Sequence, residues 1–204
     1  MGARMIYAGK VTDISWAKGT WLILDIGFSN SKKTCGIIIG DSKADNLKFN
    51  DAIDEVIRIA REKPLLNLVI EAPLSVAFDK LGNPKTRSIE KEGARNRLWY
   101  VGPGCAVLVA AMYLMRRLYD SRPSADIKLF EGFVSYKSKV ARSSHSRDVE
   151  LLRKAIKGRQ TLKHHVIKPE DLKTDPDDNI RSAFEVMNMK DIDLGIPPVI
   201  KVDG

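Results

Sequence analysis

Thr20–Ile26 reads TWLILDI, an apolar run with an acid near its end, followed by Gly27. A run with no polar alternation marks a strand buried on both faces. Lys32 and Lys33 make a turn, and Thr34–Ile39 (TCGIII) reads as a second strand, close enough to be the hairpin partner of the first. Leu65–Ile70 (LLNLVI) and Asp126–Phe130 (DIKLF) are further buried strands. Helical periods separate them. Ile53, Val56, Ile57 and Ala60 predict a helix over 51–63, stopped by Pro64. Gly104–Tyr119 is the most apolar helix, with Arg116 and Arg117 at its negative end. Ser146 caps a short helix through Ile156, with Gly158 beyond it. Asp175-Pro176-Asp177-Asp178 opens a last helix, whose stripe is Ile180, Ala183, Phe184 and Met187. The tail carries a short apolar run expected to be an edge strand. The plan is mixed α/β, with helices packed on a central sheet.

Three of these four strands are closed by a carboxylate: Asp25, Glu71 and Glu131. Neighbouring strand ends in an open α/β sheet meet at one edge, where ligands bind. Carboxylates brought together there stay ionised when a cation neutralises them, and the hard cation that suits oxygen ligands is Mg²⁺ or Mn²⁺. Two such ions serve phosphodiester hydrolysis. The Asp175–Asp178 cluster is a further acidic candidate, though its residues also suit a helix start, with Asp175 as cap and Asp177 and Asp178 at the positive end. The wheel places Asp177 near the apolar stripe and Asp178 nearly opposite, so position alone does not choose between them. His164 and His165 are adjacent, point apart and are expected to be exposed.

The positive charge is local. Ten Lys/Arg and two acids, Asp148 and Glu150, fall between Lys137 and Lys168, a surplus equal to the chain's whole net charge of +8. A surface of that sign is suited to a phosphate backbone. A second basic stretch, Lys80–Arg97, includes Arg87 and Arg95 and enters through a Gly82-Asn83-Pro84 turn. Lys80, Arg87, Arg95, Arg97 and Lys137 are therefore the candidate substrate contacts, and DNA or RNA the expected partner, with a protein partner as the other possibility.

With 204 residues, 44% of them apolar and 29% charged, the chain is expected to form one domain over 1–204, its core at about 20–190. A disordered chain, a collagen and a cysteine scaffold are excluded. The longest apolar run, Cys105–Met115, is eleven residues, well under the roughly twenty of a bilayer span. Met1–Ile6 has neither a secretory apolar stretch nor a myristoylation motif. Cys35 and Cys105 read as reduced core residues, and the expected compartment is the cytoplasm.

WLILDIGFS, LVIEAPLS, LFEGFVSYK and DPDDNIRSAF, with ARNRLWYVGPG between them, resemble the successive motifs of the RNase H-like superfamily, in particular a branch of predicted nucleases. The resemblance spans about residues 20–190. It implies an RNase H-like mixed β-sheet flanked by α-helices, with an antiparallel hairpin and a two-metal acidic site. Carried over, Asp25 bridges the metals, Glu71 is the second ligand, Glu131 a third acid, and Asp178 or Asp177 completes the set from the last helix. That family commonly has an Asp where Ser182 stands here. Two other readings stay open: a degenerate module of the same fold that binds nucleic acid or protein, and an actin-like nucleotide phosphotransferase. The latter is suggested by Asp25-Ile26-Gly27 but lacks a second glycine-rich loop.

Overall fold

A computed structural model describes residues 6–29, 31–92, 95–135, 144–158, 161–189, 192 and 194–203, with the backbone alone at 95 and 96. In chain order the elements are β1 (Ile6–Ala8), β2 (Thr20–Asp25), β3 (Cys35–Ile39), β4 (Asp45–Leu47), α1 (Phe49–Glu62), β5 (Leu65–Glu71), β6 (Ser75–Phe78), β7 (Pro84–Lys85), β8 (Lys91–Glu92), β9 (Arg95–Asn96), α2 (Pro103–Asp120), β10 (Asp126–Val134), α3 (His145–Lys157), β11 (Val166–Ile167), β12 (Asn179–Ser182), α4 (Ala183–Val186) and β13 (Val199–Val202). The chain is mixed α/β.

The main sheet runs β11-β13-β10-β5-β2-β3-β4, with β1 also paired to β10. β2, β3 and β4 form an antiparallel meander. β5 lies parallel to β2, and β10 parallel to β5. Both faces of the central strands are covered, which is why β2 and β5 read as continuous apolar runs. Leu22, Leu24, Leu68 and Ile70 pack with α1 and α2 on one face. Trp21, Ile23, Val69 and Phe130 pack with Val149, Leu152 and Ile156 of α3 on the other. Burying such side chains contributes about 1.5–3 kcal/mol apiece, and this holds α3 against the sheet.

Three expectations are corrected. β10 does not end at Phe130 but runs on to Val134, so Glu131 is inside the strand. The tail strand β13 is not at the edge, because β11 pairs with its outer side. The helix expected from Asp175 is absent: residues 179–182 form β12, antiparallel to β6, and helix resumes only at Ala183 for four residues. The 3.6-residue spacing of Ile180, Ala183 and Phe184 is real, but the long-range ladder with β6 outweighs it. No helix among the described residues is long and apolar enough to cross a membrane.

Candidate metal centre

β2 and β5 are paired with Asp25 opposite Glu71. Residues opposite each other in a parallel pair share a face, and successive residues alternate faces. Asp25 and Glu71 thus stand side by side on the α3 face, at the C-terminal edge of the sheet.

α3 completes the group. Ser144 caps it, its Oγ accepting the Arg147 backbone N–H at 3.3 Å. Its first turn carries His145 and Asp148, three residues apart and so on one side of the helix. His145 Nδ1 lies 2.8 Å from Asp25 Oδ2. One ligand atom each from Asp25, His145 and Asp148 lies within 4.8 Å of the others. Asp25 and Asp148 are buried and His145 is partly exposed.

Two glycines permit this approach. A Cβ on Gly36, the β3 residue paired with Asp25, would lie 2.2 Å from the His145 carbonyl oxygen. One on Gly27 would lie 2.7 Å from His145 Nε2. The α3 N-terminus therefore rests on bare backbone, and its positive end faces the acids.

Glu71 feels the crowding. Burial above all, with repulsion from Asp25 and Asp148, pushes its carboxyl up to about 7, although Arg97 pulls the other way. Arg97 Nη2 is 3.0 Å from Glu71 Oε1, its Nη1 donates to the Val134 carbonyl at 2.6 Å, and its guanidinium lies over the Phe133 ring.

The chemistry of the donor set fits a divalent cation: two buried carboxylates, an imidazole and a third carboxylate beside them. Oxygen-rich ligation suits Mg²⁺ and Mn²⁺, and the imidazole favours Mn²⁺ of the two.

The other expected ligands are elsewhere. Glu131 is on the opposite face of β10, one residue out of phase. Arg87 Nη1 donates to its Oε1 at 2.7 Å and the Leu74 N–H to its Oε2 at 2.8 Å. Burial pushes the Glu131 carboxyl up against the pull of Arg87. Asp178 closes the turn before β12: its Oδ2 accepts the Thr174 and Asp175 backbone N–H groups, and Lys85 Nζ donates to Oδ1 at 2.7 Å. Burial opposes ionisation there, but Lys85 and these donors hold the carboxyl well below the usual range. Asp177 is exposed in that turn. Ser182 pairs with Ser75 in the small sheet β12-β6-β7.

Of the expected phosphate contacts, Arg87 is fully buried and tied to Glu131, Glu90 and Ser75, so it is structural. Arg97 is half-exposed beside Glu71. Lys80 is exposed in the turn joining β6 and β7. The Arg95 side chain and Lys137 lie outside the described residues. Cys105 is exposed rather than in the core, while Cys35 is buried.

His145 and Asp148 were hidden in a segment read for its positive charge. A signal was present: Asp148 lies on the same stripe as Val149, Leu152, Ala155 and Ile156, all buried. An acid on the apolar stripe of a helix needs a partner in the core. Comparison of the chain with protein-family models, with curated proteins and with solved structures finds no match.

Proposed function

We propose that the protein is a cytoplasmic, Mg²⁺- or Mn²⁺-dependent nuclease of RNase H-like type that hydrolyses phosphodiester bonds in DNA or RNA. The observation that carries this reading is the meeting of Asp25, Glu71, His145 and Asp148 from three separate elements at one sheet edge. The antiparallel hairpin beside parallel strands is in keeping with the resemblance.

Asp25, Asp148 and His145 would hold a divalent cation, and Glu71, next to Asp25, would serve a second. Such a cation supplies Lewis-acid stabilisation of charge on a phosphodiester and acidifies water. The chain's own residues prepare the place. Arg97 orients Glu71, the imidazole of His145 fixes Asp25, and the α3 N-terminus lends positive potential. Arg147 and Lys154, exposed on α3 and seven residues apart, line a basic ridge about 10 Å long that leads away from the centre. A ridge of that charge draws in a phosphate backbone. The Ser182 departure, which motivates a degenerate binding module, falls in the small sheet and does not touch this donor set.

The test is cleavage of end-labelled DNA and RNA with Mn²⁺. Asp25→Asn and Asp148→Asn should each lower the rate at least about a hundredfold, the loss expected when metal-assisted charge stabilisation is removed. Asp178→Asn should leave it within a few-fold. Cleavage that survives both Asp25→Asn and Asp148→Asn would refute the proposal.

A further inference from the structure

Gly27, the glycine against His145 Nε2, is followed at once by Phe28, whose side chain is 50% exposed. Phe28 does not stand alone. Its ring meets Phe49 edge-on at 5.7 Å between centroids, and Phe49 lies 6.4 Å from Tyr113. Tyr113 is 48% exposed on α2. The Arg117 guanidinium lies over the Tyr113 ring at 5.9 Å, and its Nη1 donates to the hydroxyl at 3.2 Å. Arg117 is also 3.5 Å from Asp54. A row of rings with a guanidinium at its far end thus begins three residues beyond Asp25 and runs along α1 and α2.

The fold does not require this row to be exposed. Phe49 is packed against the core, but about half of Phe28 and of Tyr113 is left to solvent, at an energetic cost. The Phe28 loop is held by its own turn, with the Lys32 N–H donating to Ser29 Oγ at 3.0 Å, and it presents exposed Lys32 and Lys33. Lys48, at the start of α1, is exposed as well. Flat apolar rings flanked by cations suit unstacked nucleobases on a phosphate chain, since every base has a π-face and Arg adds a cation–π contribution.

We propose that Phe28 and Tyr113, with Arg117, form a stacking platform that gives the metal centre single-stranded nucleic acid in preference to duplex. Paired bases keep their faces stacked inside the helix and cannot use the rings. The platform rests on the nuclease reading for its purpose but not for its binding.

The experiment measures fluorescence anisotropy of a labelled oligothymidylate of about 20 nucleotides and of a duplex of equal length, in EDTA. Wild type, Phe28→Ala, Tyr113→Ala and Phe28→Tyr are compared, and the same oligonucleotides are then offered with Mn²⁺. Both rings are half-exposed, so their truncation leaves the core intact, and unchanged melting temperatures check this. Wild type should prefer the single strand. Phe28→Ala and Tyr113→Ala should each weaken it roughly tenfold with little change for duplex, and Phe28→Tyr should retain the preference. Equal affinity of wild type for strand and duplex overturns the proposal, as does a loss that affects both alike. So does a wild-type dimer in sedimentation that Phe28→Ala dissolves, because the rings would then join two copies. Ring-dependent strand binding without cleavage refutes the nuclease and keeps the platform. Cleavage with no ring dependence refutes the platform and keeps the nuclease.

Discussion

Glu71 shows most directly how the acids crowd one another at this edge. Its carboxyl, ordinarily near 4.5, is pushed up to about 7 by burial and by neighbouring acids. The folded protein therefore holds a proton there that the unfolded chain has already released. Between those two values stability must fall as pH rises, by about 1.4 kcal/mol per pH unit at most from this residue. The prediction is that urea unfolding in EDTA shows a decline from pH 5 to pH 7 that Glu71→Gln removes. Adding Mn²⁺ at pH 7 should restore wild-type stability and do much less for the variant. A wild-type decline identical to that of Glu71→Gln would contradict the crowding of acids at Asp25. Residue identity alone pointed to Asp25 and Glu71, because each closes an apolar run. Glu131 closes one too, yet it belongs to an ion pair with Arg87. What separates them is the pairing register, and a continuous apolar run such as DIKLFEGFV carries no alternation from which to read it.

At the scale of elements, the centre depends on how closely α3 approaches β3. Gly36 sets that distance, because a Cβ there would meet the His145 carbonyl carbon at 2.3 Å, and backbone cannot rotate aside as a side chain can. Gly36→Ala should displace the first turn of α3, cost about 1–3 kcal/mol, and separate His145 and Asp148 from Asp25. The expected outcome is a drop in Mn²⁺ affinity of at least about tenfold with helix content in circular dichroism unchanged. Unchanged affinity in a folded Gly36→Ala protein would show that the seat of α3 is not critical. The helix itself was legible, although its cap is Ser144 and not the expected Ser146, which lies inside its first turn; its role was not. Its ten-to-two excess of basic residues with the segments on either side masked an acid on the buried stripe. The reverse happened at Asp175–Asp178, where helix-start residues stand before a strand. There the Asp178 side chain accepts the turn's backbone donors and so ends the local structure before β12 pairs with β6.

For the whole molecule, the two faces of the sheet divide the labour. α1 and α2 cover one face with most of the apolar core; α3 covers the other and brings His145 and Asp148 to Asp25. That helices pack on a central sheet was readable from the runs and periods, because a sheet clothed on both sides leaves its strands apolar throughout; which helix covers which face was not. The candidate cluster was only half readable, since it is assembled by contacts between β2, β5 and α3 that no local pattern encodes. Everything functional then depends on whether Asp25, His145 and Asp148 take up a cation together. Isothermal titration of Mn²⁺ into the metal-free protein at pH 7 decides it. The account predicts saturable binding with at least one equivalent, abolished by Asp148→Asn and unaffected by Asp178→Asn. No binding by the wild type, or binding that Asp148→Asn leaves intact, would contradict it.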